Sequence, residues 1–281
     1  MMRTRRFIQC DVFSPTPLQG NGLAVVVDAD GLDTAAMQRF AAWTNLAETT
    51  FLLPPTDPSA DYRVRIFTPR REMPFAGHPT LGSCMSWLHA GGVPREPGLV
   101  RQQCELGIVP VDVRTANQPA FNAPATRIAA LPTERRDALI AALGLSPDHI
   151  VQTALLENGP VWQVFELDSA AAVLAADSSR VSWADFGSIG LIGPQPAGAQ
   201  TDWEVRMLAP SSGMSEDPIT GSLNAALARW MRAQGRLAHA TTVAQGTVIA
   251  RQGRVSIRPG ENDSIWIGGA VHIVIEGTVQ L

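Results

Sequence analysis

Short stretches rich in Val, Ile, Phe and Thr recur along the chain, either alternating with polar residues or running together. They predict strands over residues 6–12, 23–27, 50–53, 62–67, 107–114, 161–167, 203–208, 243–249, 254–258 and 273–276. Apolar positions return at helical spacing over 33–44, 80–90, 133–143 and 220–234. Strands outnumber helices and do not alternate with them one for one. The pattern predicts an α+β fold, with curved antiparallel or mixed sheets around a few helices, not a doubly wound parallel sheet.

The pattern also repeats. Val64-Arg65-Ile66-Phe67-Thr68-Pro69 matches Val205-Arg206-Met207-Leu208-Ala209-Pro210. Each is followed by a His/Asp-Pro-x-x-Gly-Ser segment, His78 to Ser83 and Asp217 to Ser222, leading into an apolar helix. Upstream, Asn21-Gly22 and Asn158-Gly159 each precede an apolar run. Three matches in the same order predict two homologous halves. Asn117, Pro119 and Pro124 mark the junction. The expected organisation is 1–116, joined by a final strand at about 271–281, and 117–270, with an active site in the cleft between them.

Composition narrows the chemistry. A chain of 281 residues, 45% hydrophobic and 17% charged, reads as soluble and globular. The net charge of −4 and the scattered arginines argue against nucleic acid as a partner. The basic residues near the start lead into no apolar signal core, and no stretch is long enough to span a membrane, so a cytoplasmic location is expected. Cys10, Cys84 and Cys104 form no CxxC pair and no metal-ligand spacing; they read as reduced and inert. All 22 basic residues are Arg. Without a lysine, Schiff-base chemistry on pyridoxal phosphate, class I aldolase chemistry and a Walker A loop are excluded.

Two features point to a site. Each Gly-Ser turn opens a helix, whose first N–H groups lack helical partners and carry partial positive charge. Gly82 and Gly221 would let a ligand approach the backbone, and Ser83 and Ser222 would add hydroxyl donors, so a carboxylate suits these turns. Helix capping by Thr80 or Thr220 is the plainer alternative. Glu48 lies between an apolar helix and an apolar strand, where partial burial would raise its pKa toward neutrality and suit it to proton transfer. A solvated loop acid is the other reading. Asp217 precedes Pro218, which predicts extended backbone there and a carboxylate free to orient a substrate or to cap a turn. His78 occupies the matching place in the first half.

These motifs resemble a known family. Asp11-Val12-Phe13, Gly20-Asn21, Asn45-Leu46-Ala47-Glu48-Thr49-Thr50-Phe51, Phe67-Thr68-Pro69, Pro74-Phe75-Ala76-Gly77-His78-Pro79-Thr80, Glu216-Asp217-Pro218-Ile219-Thr220-Gly221-Ser222, Gln245-Gly246 and Gly268-Gly269 together resemble the PhzF-like phenazine-biosynthesis family. The resemblance implies the diaminopimelate epimerase fold: two pseudo-symmetric halves, each a sheet curled about a central helix. It implies a homodimer, no cofactor, no metal and a small anionic substrate. The best-understood relative isomerises trans-2,3-dihydro-3-hydroxyanthranilate by moving a hydrogen between ring carbons. Its catalytic glutamate matches Glu48, its supporting His and Asp match His78 and Asp217, and its substrate-contacting turn matches Gly221 and Ser222, with Gly77 in the corresponding turn of the first half. Ala47, Trp43 and Ile219 depart from the family's usual Ser, acid and Ala, and the bulkier Trp43 and Ile219 are expected to reshape the pocket. The related amino-acid epimerases use one cysteine per half; His78 and Asp217 in the matching turns disfavour a two-thiol racemase. The expected activity is a proton-shifting isomerase, with an epimerase using Glu48 with Asp217 or His78, or a non-catalytic small-acid binder, as rivals.

Overall fold

The computed structural model describes residues 2–281. The chain divides into two compact units, one formed by residues up to Asn122 together with Trp266–Leu281, the other by Ala123–Ile265. The first contains β1 (Thr4–Val12), β2 (Asn21–Val26), α1 (Thr34–Thr44), β3 (Glu48–Leu53), β4 (Tyr62–Phe67), β5 (Glu72–Met73) and α2 (Gly77–His89). It continues with β6 (Leu99–Cys104), β7 (Gly107–Asp112) and β8 (Ala120–Asn122). The second contains β9 (Arg127–Ala129), α3 (Thr133–Leu143), β10 (Ile150–Glu157), β11 (Val161–Leu167), α4 (Ala170–Ala175), α5 (Trp183–Phe186) and β12 (Ser188–Pro194). Then follow β13 (Trp203–Leu208), β14 (Glu216–Asp217), α6 (Gly221–Ala233), β15 (Thr241–Gln245) and β16 (Gly253–Pro259). The chain returns to the first unit through β17 (Ile265–Gly268) and β18 (Val271–Gln280).

Both units use one pairing scheme. In the first, the order is β18-β1-β2-β3-β4-β6-β7-β8-β17, with β2–β3 and β4–β6 parallel and the rest antiparallel. In the second it is β9-β10-β11-β12-β13-β15-β16, with β11–β12 and β13–β15 parallel. Helix α2 packs against β1, β2, β3, β6, β8 and β18, so the first sheet curls around it. Helix α6 packs on β10 and β16, strands from opposite ends of the second sheet. This is the mixed α/β architecture expected, with a central helix in each unit.

Local chemistry explains how α1 and α2 are set. The Asp33 carboxylate caps α1 by accepting from the Ala36 N–H, and Asn45 ends it in the left-handed conformation that Asn tolerates. That turn brings the chain into β3 at its first residue, Glu48. Helix α2 begins at Gly77, three residues before the expected start at Thr80, because Pro79 is tolerated inside a first turn. Gly82 lies inside α2, where a Cβ would meet Leu23 Cδ2 at 2.6 Å and Cys10 Sγ at 2.9 Å. Its lack of a side chain lets the helix approach the sheet. Phe51 and Phe67 meet edge-to-face at 5.5 Å in the core behind β3; burying such a ring contributes about 2–3 kcal/mol.

The sheet register corrects the internal alignment. In the first unit Phe67 pairs with Glu72 and Ile66 with Met73; in the second, Leu208 pairs with Glu216 and Met207 with Asp217. Arg65 bonds Glu72, and Arg206 bonds Glu216, in the corresponding places. Pro74 therefore matches Pro218, Gly77 matches Gly221 and both central helices start at those glycines. His78 is the counterpart of Ser222, not of Asp217, whose counterpart is Met73. The two His/Asp-Pro-x-x-Gly-Ser strings look alike but stand out of register.

Candidate active site

Glu48 and His78 meet within the first unit. Glu48, at the head of β3, lies beside Leu23 of the parallel strand β2. Its side chain is 17% exposed, and its Oε2 lies 3.5 Å from Nε2 of His78. His78 is the second residue of α2 and buried. The other ring nitrogen, Nδ1, is 3.2 Å from the Asn21 amide nitrogen. Burial pushes the His78 pKa down to about 3, so the ring is neutral at neutral pH. The arrangement offers a carboxylate that retains some access to solvent, held beside an uncharged imidazole.

The second unit carries a different cluster. Asp217 is buried in β14, with extended backbone as Pro218 predicts. Thr220 donates its hydroxyl to Asp217 Oδ2 at 2.5 Å. Gln245, at the end of β15 and fully buried, ties the turn together. Its amide donates to Thr220 Oγ1 at 3.0 Å and to the Asp217 carbonyl at 3.3 Å. Its Oε1 accepts from the Thr220 N–H at 3.1 Å and from Asn224 Nδ2 at 3.0 Å. The donor order is forced: with the Gln245 amide donating to the Thr220 oxygen, the threonine proton is directed at Asp217. Gly246, at φ +89°, brings the backbone against the Pro218 carbonyl, where a Cβ would sit 2.7 Å from that oxygen.

Neither central helix is capped by a side chain. Ala76 and Thr220 hold the two cap positions and make no such bond; the Thr220 hydroxyl goes to Asp217 instead, and that of Thr80 to the Ala76 carbonyl at 2.9 Å. The plain capping alternative is thus absent. Gly77, Gly221 and Ser222 stand in the uncapped first turns, where partial positive charge favours an anion.

Gly82 and Ser83 do not belong with them. Gly82 is filled against by Leu23 and Cys10, and Ser83 donates to Thr50 Oγ1 at 2.8 Å in the core. Placing both one turn too early follows from the register error. Trp43 is 80% exposed on α1 and stacks on Phe40, and Ile219 is fully buried against Gly253. Burial pushes the Cys10 thiol up to about 12 and raises that of Cys84 too, so neither is a thiolate nucleophile.

Asn21 and Gln245 stood in the sequence without an assigned role; only the fold brings them to His78 and Asp217. A cavity of about 540 Å³ between α1 and the C-terminal strand, lined by Leu32, Phe40, Trp43, Val279 and Leu281, holds none of the candidate residues. Its lining is mostly apolar, with Arg39 and Gln280 as its polar side chains. Among the described residues no cluster of His, Cys, Asp and Glu is arranged to hold a metal ion, and no helix is long and apolar enough to cross a membrane.

Comparison with known proteins agrees with this architecture. The family pattern described as "Phenazine biosynthesis-like protein" matches residues 10–277. The trans-2,3-dihydro-3-hydroxyanthranilate isomerase of Pseudomonas aeruginosa is 33% identical over 259 residues, covering 90% of each chain. An uncharacterized isomerase of Mesorhizobium japonicum is 33% identical over 308 residues, covering 98% of this chain and 99% of its own. The crystal structure of a PhzF-family phenazine biosynthesis protein from Bacillus anthracis overlays with a TM-score of 0.82 at 23% identity over 100% of both chains. A hydroxyproline epimerase from Agrobacterium vitis shares the fold more distantly, with a TM-score of 0.67 at 14% identity over 99% of this chain and 93% of its own.

Proposed function

The chain belongs to the phenazine biosynthesis-like family of isomerases, and from that premise we propose that it shifts a proton on a small carboxylate-bearing substrate without a cofactor. The observation that carries this reading is the contact between Glu48 and His78: a carboxylate 3.5 Å from a buried, neutral imidazole. Glu48 takes a proton from an activated carbon. The C–H electron pair moves into the adjoining π system, and the same carboxyl returns the proton at another carbon. Atoms and charge balance with no redox partner. A neutral His78 steadies the carboxylate without fixing it in a full ion pair. Within the first unit the uncapped turn at Gly77 suits a substrate carboxylate; in the second, Asp217 suits a polar substituent and the turn at Gly221 and Ser222 an anion.

The test is incubation with trans-2,3-dihydro-3-hydroxyanthranilate and a panel of cyclic and amino carboxylic acids in D2O, followed by NMR. Deuterium entering a substrate together with migration of a double bond supports the reading. Exchange at a stereocentre without migration would instead make the protein an epimerase, and binding without exchange a small-acid binder. Glu48→Gln is expected to abolish exchange; full activity in that variant overturns the assignment.

A further inference from the structure

The contact between Asn21 and His78 singles out Asn21. In the second unit, Asn158 precedes β11 and accepts from Trp162 Nε1 at 2.9 Å. Its own amide donates to the main-chain carbonyl of Ser222, second residue of α6, at 2.8 Å. In the first unit Asn21 opens β2 and reaches the second residue of α2, His78. In each unit an asparagine near the start of this strand thus bonds the second residue of the central helix, although the ladder register places Pro160, not Asn158, at the position of Asn21. Only in the first unit does that bond engage a ring instead of a carbonyl.

We propose that Asn21 is a positioning residue that holds His78 in its Nε2–H tautomer, with that proton directed toward Glu48. The geometry requires a sequence of assignments. The atom 3.2 Å from His78 Nδ1 is the Asn21 amide nitrogen, which carries only hydrogens. With the amide turned this way Nδ1 accepts, which puts the ring proton of a neutral imidazole on Nε2. Nε2 is buried, makes no hydrogen bond and lies 3.5 Å from Glu48 Oε2. The opposite amide orientation would place the proton on Nδ1. It would then aim a bare Nε2 lone pair at a carboxylate oxygen, two acceptors facing each other in a buried place. Asn21 itself is 2% exposed and lies in β-ladder register with Val12, so its side chain has little freedom to turn. The consequence for turnover rests on the isomerase reading; the tautomer does not.

The decisive measurement is NMR of the imidazole nitrogens in the full-length protein labelled with 15N-histidine, with His78 assigned by the signal lost in His78→Gln. The native ring is expected to show Nε2 protonated and Nδ1 unprotonated. Asn21→Asp keeps the shape but offers only acceptors, and should move a proton onto Nδ1, as the opposite tautomer or an imidazolium. Asn21→Ala should leave a mixture of tautomers. A purely structural Asn21 would change none of these signals. A native Nδ1–H tautomer overturns the proposal, as does an unchanged ring in Asn21→Asp. Where the native protein turns over a substrate, Asn21→Asp should lower kcat on the order of 10²-fold with KM little changed, the low end of what a positioned acid or base contributes. An absence of turnover on every substrate would count against the isomerase reading alone, because the NMR signature needs no substrate.

Discussion

Arg206 and Glu216 form an ion pair at 2.9 Å with side chains only 1% and 2% exposed. Arg206 also donates to the carbonyls of Val173 and Ala176 at the end of α4, so one guanidinium joins β13, β14 and α4 directly beside Asp217. Its counterpart, Arg65 with Glu72, is about a quarter exposed. The two pairs share a fold position but differ in solvent. Removing one partner of a buried pair leaves an unpaired charge and costs about 3–5 kcal/mol; a partly exposed pair contributes about 1 kcal/mol or less. Arg206→Ala should therefore lower unfolding stability several-fold more than Arg65→Ala, as read from urea denaturation. Equal losses would contradict the burial argument.

Much of this was legible before the fold. The duplication showed because Val64-Arg65 and Val205-Arg206 fall in equivalent strands, each arginine bonded to the glutamate of the short strand that follows. Glu48 and Asp217 stood out through the motifs they share with the family, and Pro218 foretold the extended backbone at Asp217. The register of the repeat was misread because two x-Pro steps, His78-Pro79 and Asp217-Pro218, mimic one another. Only the ladder contacts of Glu72 and Glu216 align Pro74 with Pro218. Strand β12 escaped detection because Gly190 and Gly193 dilute its β signal. Gln245 reads as an ordinary strand-end polar residue until the fold buries it against Thr220 and Asn224.

His78 should leave a mark on the pH dependence of stability. Its folded pKa lies near 3 and its unfolded value near 6.5, because burial disfavours the imidazolium. Between those values the unfolded chain binds the proton and the folded chain does not. Stability attributable to this residue is thus fully present above pH 6.5 and falls as pH drops towards 3, by up to about 1.4 kcal/mol per pH unit. His78→Gln should flatten the curve of unfolding free energy against pH over that window relative to the native protein. Parallel curves would show that the buried imidazole does not titrate as its environment dictates.

Gly82 and Ser83 should matter to folding and not to substrate. Gly82→Ala inserts a methyl against Leu23 and Cys10; overpacking of this kind costs about 1–3 kcal/mol, offset by roughly 1 kcal/mol of helix propensity. Ser83→Ala removes the bond to Thr50, worth about 1 kcal/mol. Both variants should melt at lower temperature with KM unchanged. Ser222→Ala, in the uncapped first turn of α6, should instead raise KM with little change in melting. A raised KM in Ser83→Ala alone would return that residue to the site.

Thr220 and Gln245 provide the last test, because they act on Asp217 by separate routes. Thr220→Val keeps the shape of the turn but deletes the hydroxyl that donates to the Asp217 carboxylate. A hydrogen bond to a charged group is worth about 1.5–3 kcal/mol, so kcat/KM should fall roughly ten- to hundredfold. Gln245→Leu removes the partner of the buried Thr220 N–H as well as the donor that orients its hydroxyl. An unsatisfied buried N–H costs about 1–3 kcal/mol, so this variant should lose stability in addition to activity. Combining the two substitutions should cost less activity than the sum of their separate effects, since both work through the same Asp217 oxygen. Strict additivity in that double-mutant cycle would mean that Gln245 influences turnover by some route other than the Thr220 hydroxyl.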